Sequence, residues 1–288
     1  MQTFLQLMRI ICSAENGQEE IVQERSSYVG AYIAVVMLGI VDLWIFSVLI
    51  PAGQNGSTLR LKCWFELFAM GIALILLVRN GMPQLFAVGL AVLLAVPIFL
   101  TPGEPLLTRA GDAGKILLCG LAALRIFEKY PRRGLRFMEA EAWGDVPGAL
   151  AASVSAGILM GIVYLFLSCG TLLPDLHFST ESTQLALRAV IRSEVCFRLL
   201  FAAVGLEALG GAIYTKAESA GYLFLIAAPC SLLCSVTFFF GQELWVSVVN
   251  GLLLVVVLGL PTAILYRDKG IVPALLAHGV AAMLYFAC

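Results

Sequence analysis

Val146-Pro-Gly-Ala-Leu-Ala-Ala-Ser-Val-Ser-Ala-Gly-Ile-Leu-Met-Gly-Ile-Val-Tyr-Leu-Phe-Leu-Ser-Cys169 runs for twenty-four residues without a charged side chain. A helix needs about 20 predominantly apolar residues to cross the hydrocarbon core of a bilayer, so this stretch reads as a membrane helix. The rest of the chain agrees with it. Of the 288 residues, 60% are hydrophobic and 13% charged, and the mean hydropathy is +0.94. A soluble domain carries about 45–50% apolar and about 25% charged residues. The composition therefore disfavours a soluble enzyme and a disordered chain. The formal net charge of −1 offers no basic surface to a nucleic acid. The expected fold is all-α, a polytopic membrane helical bundle.

Outward from that stretch, nine apolar segments can be read: Tyr28–Ile50, Cys63–Val78, Gln84–Leu100, Lys115–Phe127, Val146–Cys169, Gln184–Leu209, Tyr222–Phe240, Leu244–Tyr266 and Ile271–Phe286. Turn formers such as Pro51, Gly53, Asn80, Gly81, Pro102 and Pro105 separate them. The fourth is short for a full crossing and fits a re-entrant piece, so the expectation is eight or nine transmembrane segments. Residues 1–27 form a polar N-terminal tail without a small-residue cleavage site, which disfavours a signal peptide. Residues 28–145 hold the N-terminal segments, and residues 146–288 form a C-terminal core. With nine spans and a cytoplasmic N-terminus, the inner loops collect Arg9, Arg25, Arg79, Lys129, Arg132, Arg133, Arg136, Lys216, Arg267 and Lys269. The outer loops collect only Arg60, Lys62, Arg109 and Lys115, and this bias supports that orientation. Short loops without a large soluble domain fit a bacterial inner membrane.

Ionisable groups within such segments are costly and point to function or pairing. Asp42 and Glu66 read as structural pairs or interfacial residues, and Arg125 lies near enough to a segment end to snorkel. The sixth segment is different. Arg188, Arg192, Glu194 and Arg198 fall within eleven residues of an otherwise apolar helix. Glu194 and Arg198, four apart, share a face and can pair. The last segment carries His278, and its depth places it level with Glu194. His177 falls in an outer loop and reads as ordinary surface. Gln242 and Glu243 sit in the turn between the seventh and eighth segments. The eight cysteines, Cys230 and Cys234 among them, read as small apolar helix residues.

Three pieces in this order resemble the CPBP family of intramembrane endopeptidases, which contains CAAX prenyl proteases and bacteriocin-processing proteins. Ser193-Glu194-Val-Cys-Phe197-Arg198 takes the place of the family's Glu-Glu-x-x-x-Arg. Phe238-Phe-Phe-Gly-Gln242 takes the place of Phe-x-x-x-His, and His278-Gly-Val-Ala-Ala282 that of His-x-x-x-Asn. The similarity covers residues 184–288. It implies a glutamate base that activates water with help from a histidine, and an oxyanion held by the third motif. Ser193, Gln242 and Ala282 depart from the family's residues at those positions.

The resemblance therefore implies site residues Glu194, His278, Arg198, Ser193 and Gln242, with Glu243 as a second carboxylate should the turn reach the site. Peptide hydrolysis needs a base and oxyanion donors. Glu194 can supply the base, although the charge of Arg198 beside it weakens it in that role. A Ser193 nucleophile would need His278 within hydrogen-bond reach, and Gln242 cannot shuttle a proton. No cofactor is expected. A zinc site is poorly supported: catalytic zinc usually takes three protein ligands, the only obvious candidates are Glu194, His278 and, should the turn reach the site, Glu243, and no His-Glu-x-x-His helix accompanies them. The expected partners are membrane lipid and a membrane peptide or protein substrate. The expectation divides between an intramembrane peptidase and a catalytically inactive relative that binds a membrane peptide or protein. A transporter is the third reading, with no discontinuous helices in the sequence to recommend it.

Overall fold

The computed structural model describes residues 55–102, 105–131, 146–169, 176–213, 215–234 and 244–288. The tail 1–27, the first segment Tyr28–Ile50 with Asp42, and Phe238, Gln242 and Glu243 lie outside the described residues. Those described form α-helices and two π-helical stretches, with no strand among them. The helices are α1 (Asn55–Asn80), α2 (Leu85–Leu100), α3 (Leu106–Lys129), α4 (Val146–Cys169), α5 (Thr180–Ser193), α6 (Leu200–Ala208), α7 (Lys216–Cys234), α8 (Leu244–Leu254), α9 (Leu260–Lys269) and α10 (Ile271–Ala287). A π stretch at Glu194–Leu199 joins α5 to α6, and another at Val255–Gly259 joins α8 to α9.

Side-chain contacts fix the helix directions. Glu66 meets Lys115, and Asn80 meets Arg125 and Lys129, so α1 and α3 run parallel. The start of α2 meets the end of α3 through Gln84 and Glu128, so α2 runs against them. Asp112 pairs with Arg188 and Lys129 with Glu207, which makes α3 parallel to the α5–α6 rod. The N–H of His177 donates to the carbonyl of Ala287, placing the start of α5 at the end of α10. Among these helices α1, α3 and the α5–α6 rod thus run one way and α2 the other. The fourth segment, read as a short stretch of Lys115–Phe127, belongs to the 24-residue helix α3. At about 1.5 Å per residue that helix is about 36 Å long. Its first turns hold Arg109, Asp112 and Lys115, and these charges hide its length from a hydropathy reading.

Local chemistry explains the helix ends that matter most. Ser179 caps α5: its hydroxyl accepts the N–H of Ser182 at 3.0 Å, and the Ser182 hydroxyl accepts the N–H of Ser179 at 2.9 Å. Gly270, at φ 96°, separates α9 from α10, and a side chain there would be strained. The long helices pack through small residues, as helices do when van der Waals contact drives association. A Cβ on Gly157 of α4 would lie 2.5 Å from the carbonyl of Ala277 and 2.7 Å from the Cβ of Val280, both on α10.

The described residues expose many large apolar side chains while burying a few charged ones. Leu85 is 87% exposed, and Val78, Phe86, Leu93 and Leu159 are also exposed. Glu194, Arg198 and Glu66 are buried. Inside, α1, α3 and α5 are tied by one ion network. Lys115 is hydrogen-bonded to Glu66 and, at 3.0 Å, to Asp112. Asp112 also accepts from Arg188 at 3.1 Å, and Glu66 faces Arg192 at 3.5 Å. Glu66 is thus a structural pair, as its place in the sequence suggests. Two helices of the described set, Val146–Phe166 and Val249–Lys269, are long and apolar enough to cross a membrane.

Candidate active site

The rod α5–π–α6 carries Ser193, Glu194 and Arg198 past the point where α10 brings His278. The π stretch starts at Glu194 and contains Arg198. Such widened turns inside α-helices are rare and are frequent at functional sites. The Glu194 carboxylate is fully buried, and both of its oxygens are engaged. Oε2 accepts from Arg198 Nε at 2.7 Å, while Oε1 lies 2.6 Å from Nδ1 of His278. An ionised carboxylate only accepts. With Arg198 beside it, Glu194 is held as an acceptor, so His278 donates its Nδ1–H to Oε1. Nε2 of His278 makes no hydrogen bond among the described residues.

Beside the pair lies a cavity of about 250 Å³. Its wall includes Ser193, Arg192, Arg198, Cys230, His278 and Ala282, with Tyr164, Tyr285 and Phe286 as aromatic lining. Glu194 is not part of that wall; it stands behind His278 and Arg198. Ser193 reaches the cavity, but its hydroxyl donates to its own helix, at 2.7 Å to the carbonyl of Ala189 and 3.0 Å to that of Val190. Such back-bonding to the preceding turn is ordinary for a helical serine. His177 is exposed and away from this cluster, as expected of a surface residue.

Cys230 of α7 belongs to the cluster and was not legible as a site residue. Its Sγ accepts from Arg198 Nη2 at 3.3 Å and lies 4.0 Å from Glu194 Oε1. In sequence it is one small residue in an apolar run; the only local signals are the neighbouring Pro229 and Ser231. Donor atoms of Glu194, Cys230 and His278 all fall within 4.8 Å of one another, so among the described residues these three could hold a metal ion. The fit is poor. Arg198 and His278 already occupy the carboxylate, and the guanidinium beside it repels a cation.

The geometry gives a buried carboxylate that holds an imidazole, with that imidazole and a guanidinium on one cavity wall. This set can take a proton from a water and face developing negative charge. Compared with models of known protein families, with curated proteins and with solved structures, the chain matches none of them.

Proposed function

We propose that this chain is a multi-pass membrane protein of the CPBP type that hydrolyses a peptide bond of a membrane-associated substrate. The observation that carries the reading is the contact of Glu194 with His278, residues far apart in sequence, at the edge of a cavity. In this mechanism Glu194 orients the ring and His278 Nε2 takes the proton of a water as its oxygen attacks the scissile carbonyl. The oxyanion forms facing Arg198. The C–N bond then breaks, and the imidazolium returns the proton to the leaving amine. The expected roles are thereby exchanged: the histidine is the base, and the glutamate is its positioning partner.

Membrane residence is supported by the apolar exterior and the buried charges. The eight or nine crossings, the cytoplasmic N-terminus and the bacterial inner membrane belong to the same proposal. The test is cleavage of single-span peptides by the purified full chain in liposomes, read by mass spectrometry. Loss of product with His278→Ala and with Glu194→Gln supports the reading. Undiminished turnover in both variants sinks it.

A second reading, a catalytically inactive protein that binds a membrane peptide or protein, draws on a specific observation. The Ser193 hydroxyl is tied to its own helix, and Ala282 on the cavity wall has no side-chain donor. Ser193→Glu with Gln242→His and Ala282→Asn restores the family's residues. Proteolysis gained only in that triple variant favours this second reading.

A further inference from the structure

Arg192 is the cation on the cavity wall that the peptidase mechanism does not use. It ends α5, and its side chain is 24% exposed and lines the cavity. Its ion pair is with Glu66, Nη1 to Oε1 at 3.5 Å, longer than a hydrogen bond. Glu66 is held more closely by Lys115, which also holds Asp112, and Asp112 is shared again with Arg188. Arg192 is therefore the most loosely paired cation of a network whose acids are engaged more closely by others. Among the described residues its guanidinium makes no hydrogen bond. A guanidinium offers five N–H donors and cannot shed its charge.

The wall around it has the matching sign. Arg192 and Arg198 line the cavity, and no carboxylate does among the described residues. A guanidinium is suited to carboxylate and phosphate because its forked donors match two oxygens at once. The volume of about 250 Å³ is many times that of one water and admits a head group. Tyr164, Tyr285 and Phe286 supply an apolar wall for the chain that carries it.

We propose that the cavity binds an oxyanion, a carboxylate or phosphate carried on a membrane-embedded substrate, with Arg192 as its anchor. The proposal rests on the peptidase reading only for the identity of the bond that is cut; the binding itself does not need cleavage. It assigns the substrate class an anionic end group.

The experiment is titration calorimetry on the purified full chain in a non-ionic detergent. Three probes of equal chain length are compared: dodecyl phosphate, dodecanoate and dodecanol. At least one anion is expected to bind tenfold or more tightly than the neutral alcohol, and whichever anion it is identifies the head group. Arg192→Gln should abolish that preference. Glu66→Gln, which keeps Arg192 but removes its competing carboxylate, should retain or strengthen it. Equal binding of dodecanol and both anions to the unaltered protein overturns the proposal without any variant having to fold. So does an unchanged preference in folded Arg192→Gln. The two readings separate cleanly: His278→Ala should lose cleavage yet keep the anion preference. Anion binding without cleavage in the unaltered protein removes the peptidase reading alone, and cleavage without anion preference removes the Arg192 site alone.

Discussion

Nδ1 of His278 lies 2.6 Å from one oxygen of Glu194, a residue whose other oxygen is bound by Arg198 at 2.7 Å. The carboxylate thus serves two partners from different helices and reaches the cavity only through them. This makes activity and stability separable.

Glu194→Gln and His278→Ala should both lower hydrolysis by about 100-fold or more, the usual scale for loss of general base catalysis. Their stabilities should differ. Removing the charge of Glu194 takes the carboxylate from a buried guanidinium, which costs about 3–5 kcal/mol. His278→Ala leaves that ion pair intact and should cost less. Thermal unfolding in detergent beside the cleavage assay reads both, and equal destabilisation would contradict the arrangement.

Helix α10 carries His278 and packs on α4 without room for a side chain at Gly157. Gly157→Ala should force the helices apart, with a cost of about 1–3 kcal/mol as for other overpacked cores. Because Ala277 adjoins His278, hydrolysis should fall as well. Gly89 is exposed in α2 with nothing within 4 Å of an added Cβ. Gly89→Ala should be neutral or stabilising by about 0.5–1 kcal/mol through helix propensity. Melting temperatures of the two variants check the contrast.

Lys129 lies at the end of α3, and its hydrogen bonds to Glu207, each 2.9 Å, raise its pKa above the ordinary lysine value. A raised folded-state pKa contributes stability that is fully present below the unfolded value of about 10.4 and is lost as pH rises through the folded value. The difference in melting temperature between the unaltered protein and Glu207→Gln should hold constant from about pH 7 to 9 and shrink only above about pH 10.4. A difference that already closes by neutral pH would assign it to another group.

Nine crossings with a cytoplasmic N-terminus put the C-terminus outside. Alkaline phosphatase fused after Cys288 should then be active, and green fluorescent protein placed in the 132–136 loop should fluoresce in the cytoplasm. Phosphatase inactive at Cys288 together with a loop that is no longer cytoplasmic indicates eight crossings, with the fourth segment re-entrant.

Chelators should leave cleavage unchanged, because Arg198 and His278 already satisfy the only carboxylate of the Glu194–Cys230–His278 group. Loss of activity in phenanthroline, restored by zinc, would require that carboxylate to exchange partners.

Much of the fold is legible in the sequence because its signals are local. Apolar length marks the helices, and Asn80, Gly81 and Pro105 mark their breaks. The four-residue spacing of Glu194 and Arg198 guarantees a shared helix face, and the ion pair is there. Local reading fails where charges sit inside a helix. Asp112 and Lys115 truncated α3 in the hydropathy pattern because their neutralising partners, Glu66 and Arg188, come from other helices. Ser193 shows the converse: nothing in its spacing says whether its hydroxyl will face a reactant or the preceding turn, and it takes the turn.

By itself, then, the sequence determined an all-helical, apolar chain, the segments that make its helices, and the Glu194–Arg198 pair, all consequences of composition and of a fixed helical period. The tertiary structure alone decided that His278 takes the second oxygen of Glu194, that Cys230 joins them, and that Arg192 opens onto the cavity. The reason is geometric: those contacts join residues on different helices, and their distances depend on how the helices pack, which no local spacing encodes.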